Sequence, residues 1–295
     1  MTVLATIGDY ARRGLYFIVY SLFAVLPMNS ASALGSWLAR AIGPRLRVQR
    51  LARHNLECAF PEKSAAEIDI ILHDMWDNLG RVFGEFPHIG RLDIYNDPRI
   101  EVVGREYIDQ MRDDNRPGIF FTAHLGNWEL PGYAVKQRGP FAAPIAVVYR
   151  AANDPAAEWL LHLGRKRLGV ALIPKGAPGA RRIIEILRAG GHVSMLPDQK
   201  LNNGIAVPFF GRPAMTAPAL AQLALKFNCA IMPSHVERLG GTRLRITLHP
   251  PLALPHSGNR QADILALTTT INRMMEDWIR ERPSKWLWVH RRWQD

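Results

Sequence analysis

In the stretch FFTAHLGNWEL, residues 120–130, an apolar run stops at His124 and a carboxylate, Glu129, follows five positions later. Histidine is the side chain best suited to move protons near neutrality. A carboxylate bonded to one ring nitrogen fixes the tautomer, leaves the other nitrogen as a base and stabilises the imidazolium once it forms. On a single helix the two side chains would sit about 140° apart, since each residue turns about 100°. They meet only if His124 ends a strand and Glu129 opens the next helix, with Gly126 and Asn127 making the turn. The bland alternative is a satisfied strand-end histidine beside a glutamate favoured by the helix dipole.

The surrounding pattern supplies such strands and helices. After Pro98, short apolar runs alternate with helical segments: RIEVVG with REYIDQMRDD, GIFFTA with a helix over about 127–138, then APIAVVY. AEWLLHLGRKRLG is followed by VALIP, GARRIIEILRAG by HVSMLP, and AMTAPALAQLALKFN by AIMPSHVER. This alternation predicts an α/β fold with a mixed, largely parallel sheet flanked by helices. RLRITLHP predicts a late strand and QADILALTTTINRMMEDWIRERP a final helix. Ligands in such sheets bind beyond the carboxyl ends of strands. By that rule His124, after GIFFTA, stands where a ligand would bind; Arg150 after IAVVY and Asp198 with Gln199 after HVSMLP also follow predicted strands. Upstream, residues 45–86 read as helix, broken at Pro61 and restarted at Ser64, with Glu67 at capping-box spacing.

From Gly14 to Ala39 there is no charged residue, and Arg12 and Arg13 precede the apolar run Leu15–Leu26. That run is shorter than the roughly 20 residues a span requires. It predicts an N-terminal helical membrane anchor that dips into the bilayer, with the two arginines at the cytoplasmic surface. Two alternatives stand beside it: a cleaved signal peptide ending near the A-x-A-like Ala31–Ala33, and a buried core hairpin. Residues 1–45 are read as the anchor and 46–295 as one further domain.

Lys and Arg number 37 against 26 Asp and Glu, a net charge of +11 over 295 residues, which points to acidic partners such as phosphates, acidic proteins or anionic lipid. Cys58 and Cys229 form no C-x-x-C pair and read as reduced thiols. There is no G-x-S-x-G elbow, no P-loop spacing in IPKGAPGARR and no H-E-x-x-H, so neither a nucleophilic serine nor a metal is expected. KWLWVHRRWQD interleaves tryptophans with basic residues. That suits a membrane interface, nucleic acid or a C-terminal strand with its tryptophans in the core.

HLGNWE at 124–129, VVYR at 147–150, MLPDQ with VPFFGRPAMT at 195–216, and IRERPSKWLWVHRRW at 279–293 stand together in one order. In these blocks the chain resembles the lysophospholipid acyltransferase superfamily, whose signature is H-x4-D/E, and more narrowly the lipid A late acyltransferases of Gram-negative bacteria. The resemblance covers nearly the whole chain. It implies a membrane-associated acyltransferase at the cytoplasmic face of the inner membrane. Its donor would be a fatty acyl thioester of acyl carrier protein, used as co-substrate with no other cofactor. Its acceptor would be a hydroxyl of a phosphorylated glycolipid, a lipid A precursor, and the transfer would be direct, without an acyl-enzyme. His124 would be the base and Glu129 its orienting partner. Asn127, Arg150, Asp198 and Gln199 would bind substrate, and anionic membrane lipid rather than nucleic acid would be the surface partner. The residues after Arg150, AANDP, depart from the family's common proline and Asp-Asn pattern. That departure keeps another glycolipid or polyol acceptor open, and a non-catalytic basic membrane-binding protein is the alternative from another class.

Overall fold

The Glu67 amide donates to the Ser64 hydroxyl at 3.3 Å and the Ser64 amide donates to the Glu67 carboxylate at 2.8 Å, so the capping box starts a helix as its spacing predicts. The computed structural model describes residues 3–139, 141, 145–166 and 168–294. Helices open the chain: α1 (Val3–Val25), α2 (Met28–Ile42), α3 (Val48–Ala59) and α4 (Ala65–Glu85). Strands and helices then alternate as β1 (Ile100–Val103), α5 (Arg105–Asp113), β2 (Gly118–Phe121), α6 (Leu130–Gln137), β3 (Ile145–Tyr149), α7 (Pro155–Lys166), β4 (Ala171–Pro174), α8 (Ala177–Arg188) and β5 (His192–Met195). β6 (Lys200–Phe209), β7 (Arg212–Thr216), α9 (Ala219–Phe227), β8 (Ala230–Gly240), β9 (Arg243–Leu248) and α10 (Arg260–Glu281) complete the order.

Seven strands form one sheet in the order β1-β9-β8-β2-β5-β3-β4, with every neighbouring pair parallel except β8 with β9. This is the mixed, largely parallel sheet flanked by helices that the alternation predicts. β2 lies between β5 and β8 and is buried at all its residues, which is why it reads as an unbroken apolar run rather than an alternating one.

Three elements differ from the sequence reading. Helix α6 begins at Leu130, not Asn127, because Gly126 at φ 60 turns the chain and Asn127 to Leu130 form a further turn closed by a 3.1 Å bond. A Cβ at Gly126 would run into the Val236 carbonyl, so this turn requires glycine. AMTAPALAQLALKFN is not one helix: its start pairs with β6 as β7, and helix begins only at Ala219. The hairpin turns on Phe210 and Gly211, at φ 53 and 68, where Asn-Gly is the usual signal. Phe210 is held there by its backbone N–H, which donates to Glu276 Oε2 at 2.6 Å, and by its ring against Trp288. Ala143 and Pro144 of APIAVVY, Arg167 of AEWLLHLGRKRLG, and the chain positions 1, 2 and 295 lie outside the described residues.

Among the described residues no helix is long and apolar enough to cross a membrane. The N-terminal helices, read from the sequence as an anchor that dips into the bilayer, dock on the body. α1 continues back through its charged residues because Arg13 reaches Asp9 one turn away at 2.8 Å. It lies along α7, with the Tyr16 hydroxyl donating to Asp154 at 2.9 Å and Phe17 against Trp159. α2 packs backbone-close on α4: Gly35 faces Gly80, Gly84 faces Ala31, and a Cβ on any of these glycines would collide with the facing main chain. Ala31–Ala33 therefore sits inside α2, with Ala31 and Ser32 fully buried.

The C-terminal tryptophans are not at an interface either. Trp286, Trp288 and Trp293 are buried in the main core, stacked around Phe209 and Phe210. Arg292 is buried with them, donating to Thr216 at 2.8 Å and to the Met215 carbonyl at 3.2 Å.

Below β8, His235 and His249 stack on Trp278, with Nδ1 of the first 3.0 Å from Nε2 of the second. Burial, reinforced by His249, pushes His235 down to about 4; burial also lowers His249, against the pull of Glu281. The folded state thus binds fewer protons than the unfolded chain, whose histidines titrate near 6.5. Stability from this pair is complete above about pH 6.5 and is lost as pH falls towards about 4, by roughly 3 kcal/mol for His235. Urea midpoints measured between these limits should fall with pH in wild type and fall less in His235→Phe.

Candidate active site

β2 and β5 run side by side in parallel with Phe121 opposite Met195, so the residues three beyond each strand end, His124 and Asp198, emerge together. The His124 Nδ1 lies 2.8 Å from Asp198 Oδ1, and the His124 amide donates to Oδ2 at 2.8 Å. The Trp286 indole N–H also donates to Oδ2, at 2.8 Å. Asp198 is fully buried. Burial alone would raise its carboxyl, but the His124 charge and hydrogen bonds, with His290 nearby, hold it well below the usual carboxylate range. An ionised Asp198 accepts from Nδ1–H, so the proton sits on Nδ1 and the Nε2 lone pair is left for chemistry. His124 is 17% exposed and its ring lies against Trp128.

Glu129 lines the same cavity as His124 but is not bonded to that histidine. Its carboxylate takes two bonds from Arg165 of α7, at 2.6 and 3.1 Å, with both side chains largely buried. The turn after Gly126 aims it at α7, so the structure brings His124 together with Asp198 and not with Glu129. Burial works against the Arg165 charge, and Glu129 more than offsets it, holding Arg165 above its ordinary value.

Asn127 is fully buried and donates to Glu85 Oε2 at 2.8 Å, lining neither of the cavities beside His124. Glu85 is the centre of a closed network. Arg238 reaches it at 2.6 and 3.0 Å, Ser32 donates at 2.8 Å, and the Arg238 Nε also binds Asn78 at 3.1 Å. That network ties α2, α4 and β8 to the loop carrying His124.

Two cavities adjoin at Arg150, Lys175 and Gln199, and His124 lines the smaller of them. One, of about 280 Å³, runs between α6, β3, β5 and α7, and is lined by His124, Trp128, Gly132, Val147, Leu168 and Leu172 among others. The other, of about 1090 Å³, opens between α3, α8 and the β6 flap, with Ile183, Leu201 and Leu220 in its walls and Lys200 and Arg291 at its rim. Arg150, Lys175 and Gln199 line both. Arg150 is exposed, with Asn153 at 3.5 Å, and so can turn its guanidinium to a ligand. Arg150 and Gln199 thus line the cavities, whereas Asp198, expected to bind substrate, lines neither and is buried against His124.

Sequence reasoning missed Trp286, Arg165 and His290. Trp286 carries no local signal of contact with residue 198, because the link depends on the last segment folding back: Leu125 bridges to Trp286, and the Leu287 amide donates to the His124 carbonyl at 3.1 Å. His290 donates from Nδ1 to the Leu287 carbonyl at 2.6 Å and is pushed by burial down to about 4, so it stays neutral. Cys58 and Cys229 line neither cavity, and burial pushes the Cys229 thiol up to about 11.

The model of the bacterial lipid A biosynthesis acyltransferases matches residues 5–295. The chain is 25% identical to a lipid A biosynthesis myristoyltransferase of Escherichia coli over 82% of its own length and 73% of that protein's. It is 26% identical to a lipid A biosynthesis palmitoleoyltransferase of the same organism, over 92% of its own length and 88% of that protein's. A lauroyltransferase of lipid A biosynthesis, also from E. coli, is 25% identical over 92% and 88%. A buried carboxylate orienting a histidine in the wall of a partly apolar cavity, within a chain that the family matches over residues 5–295, places this protein in the bacterial lipid A biosynthesis acyltransferase family, and it is an acyltransferase.

Proposed function

We propose that the protein transfers a fatty acyl chain from the thioester of acyl carrier protein to a hydroxyl of a phosphorylated lipid A precursor, at the cytoplasmic face of the inner membrane. The observation that carries this reading is the His124–Asp198 pair, with His124 in the wall of the smaller cavity and the larger cavity joined to it at Arg150, Lys175 and Gln199. One cavity takes an acyl chain and the other the glycolipid.

His124 Nε2 takes the proton of the acceptor hydroxyl as its oxygen attacks the thioester carbonyl. Asp198 keeps the other proton on Nδ1 and stabilises the imidazolium. The tetrahedral oxyanion forms within reach of the Arg150 guanidinium, whose charge is permanent. As it collapses, the C–S bond breaks, the new ester forms, and the imidazolium returns its proton to the leaving thiolate. Direct transfer is supported by the absence of both cysteines from the cavity walls. Base catalysis supplies about 10²–10⁴-fold, and positioning of the two substrates and charge stabilisation supply the rest.

The cationic rim, with Arg150, Lys175, Lys200 and Arg291, suits the phosphates of the acceptor. Membrane association is supported by the outer face of α1, where Leu15, Ile18, Leu22 and Val25 stand 51 to 78% exposed at helical spacing. Such a face lies in the interfacial plane instead of spanning it.

The test is transfer of labelled chains from acyl carrier protein to a tetra-acylated, sugar-bearing lipid A precursor in detergent. Ester product made by wild type and not by His124→Ala is expected. A folded wild type that makes none with any chain length would remove the acceptor assignment.

A further inference from the structure

From Tyr10 to Leu56 the chain carries seven arginines and no Asp or Glu. Four of the seven, Arg40, Arg45, Arg47 and Arg50, crowd the link between α2 and α3. Gly43 packs against the Trp76 ring, where a Cβ would collide, and the five residues that follow, Pro44 to Val48, are all exposed. Arg53, further along α3, is paired with Glu57 and Asp69. Among the described residues the four arginines of the link have no carboxylate partner: Arg45 donates to the Ala41 carbonyl, and the other three are open to solvent. Trp37, Ile42, Leu46 and Val48 stand among them, 38 to 61% exposed. Helix α2 turns Trp37 and Arg40 outward because its other face, with Ala31 and Gly35, is closed against α4. The result is a corner in which unpaired cations and apolar side chains alternate, with nothing inside the fold to satisfy either.

We propose that this corner, Trp37 to Arg50, is a docking surface for anionic phospholipid. An acidic protein would satisfy the arginines alone, whereas a lipid surface satisfies both kinds of side chain. Tryptophan sits at headgroup level, aliphatic groups go below it, and guanidinium groups bind phosphate in pairs of hydrogen bonds while their stems cover apolar surface. The outer face of α1 is uncharged at Leu15, Ile18, Leu22 and Val25, so it gives no preference among lipids. The corner supplies that preference. It also orients the protein. Leu51, in the first turn of α3, and Arg291 both line the larger cavity. Seating the corner on lipid therefore sets the mouth of that cavity at the headgroup layer. There, in a step that rests on the acyl-transfer reading above, a phosphorylated glycolipid enters without leaving the bilayer.

The experiment sediments the protein with vesicles of phosphatidylcholine alone and of equal parts phosphatidylcholine and phosphatidylglycerol. Wild type should favour the anionic vesicles, and less so as salt rises. Arg40→Gln, Arg47→Gln and Arg50→Gln combined should weaken binding to anionic vesicles by about fivefold per charge, about a hundredfold together, and leave binding to neutral ones unchanged. A control that removes three exposed arginines of β9 and α10, by Arg243→Gln, Arg260→Gln and Arg273→Gln, should lose far less. Trp37→Ser with Leu46→Ser should weaken binding to both vesicles. All these side chains are exposed, and unchanged urea midpoints confirm that the variants fold. Equal binding of wild type to both vesicles overturns the inference, as does a triple variant no weaker than the control. A triple variant that keeps its vesicle affinity and loses affinity for acyl carrier protein also overturns it, and gives the corner to the carrier. In detergent the triple variant should transfer acyl chains as wild type does, and with precursor embedded in anionic vesicles more slowly. Wild type that transfers none in either medium counts against the acyl-transfer reading, while sedimentation still decides the docking.

Discussion

Asp198→Asn is expected to lower kcat about 10²–10⁴-fold, nearly as far as His124→Ala, while the protein remains folded and KM for the acyl donor changes little. The reason is donor counting. Three N–H groups, from the His124 ring, the His124 amide and the Trp286 indole, converge on the two oxygens of Asp198. Asparagine replaces one oxygen with an NH2 that can only donate. If that NH2 faces the imidazole, the ring answers by moving its proton to Nε2, where a base is required, and the wrong tautomer is present at the moment of attack. If it faces the other side, the amide and the indole lose their acceptor and the loop carrying His124 loosens. The comparison that decides the matter is Glu129→Gln. With Arg165 as its partner, Glu129 should reveal itself through stability, since a largely buried guanidinium loses its counter-charge. Asp198→Asn with kcat within a few-fold of wild type, beside a Glu129→Gln that loses kcat without losing stability, would return the orienting role to Glu129.

Glu85→Ala should cost about 3–5 kcal/mol of folding stability, read as a lower urea midpoint. Glu85 is fully buried and the Arg238 side chain is 3% exposed, so removing the carboxylate leaves a guanidinium out of water without a counter-ion. It also strips the acceptor from Ser32 and Asn127. Replacing Glu85 and Arg238 together by methionine should recover much of the loss, because the cost of the single change is the stranded charge and not the absent pair. Asn127→Ala belongs to the same cycle: its effect should be on stability, coupled to that of Glu85 by about 0.5–3 kcal/mol, with little change in KM. A folded Asn127→Ala that raises KM for the acceptor and leaves the midpoint alone would restore a substrate-binding role to this side chain.

The strand ends were legible because β2, β3 and β5 are short apolar runs, and the residues just beyond their carboxyl ends lie at one edge of the sheet. The pattern therefore put His124, Arg150, Asp198 and Gln199 at strand ends, and the family resemblance singled out the last three. Which carboxylate faces the histidine could not be read there, because Asp198 is 74 residues away and its approach depends on the register of β2 against β5. Glu129 was the nearer candidate in sequence, and a positive-φ glycine three residues before it sends it to Arg165. The β6–β7 hairpin was hidden because a phenylalanine occupies the left-handed turn position that asparagine normally marks. The tryptophans beside Arg291 and Arg292 read equally well as surface or core, and burial is decided by Phe209 and Phe210 from that unforeseen hairpin. In α1 the apolar run Leu15–Leu26 was legible, but the Asp9–Arg13 pair that extends the helix towards the N-terminus carries no more signal in the sequence than a charged flank.

The indole of Trp286 on Asp198 has a consequence for the order of events during synthesis. His124 and Asp198 leave the ribosome first, but the bond from Trp286 spans 88 positions, and the Leu125–Trp286 bridge closes over a still longer loop. Domains fold from the N-terminus as they are made, and contacts of large sequence separation form late. A nascent chain that has not been translated through Trp286 therefore has its histidine and its aspartate but no clamp to hold them in register. The outer face of α1, where Leu15, Ile18, Leu22 and Val25 are exposed, depends on no such late contact.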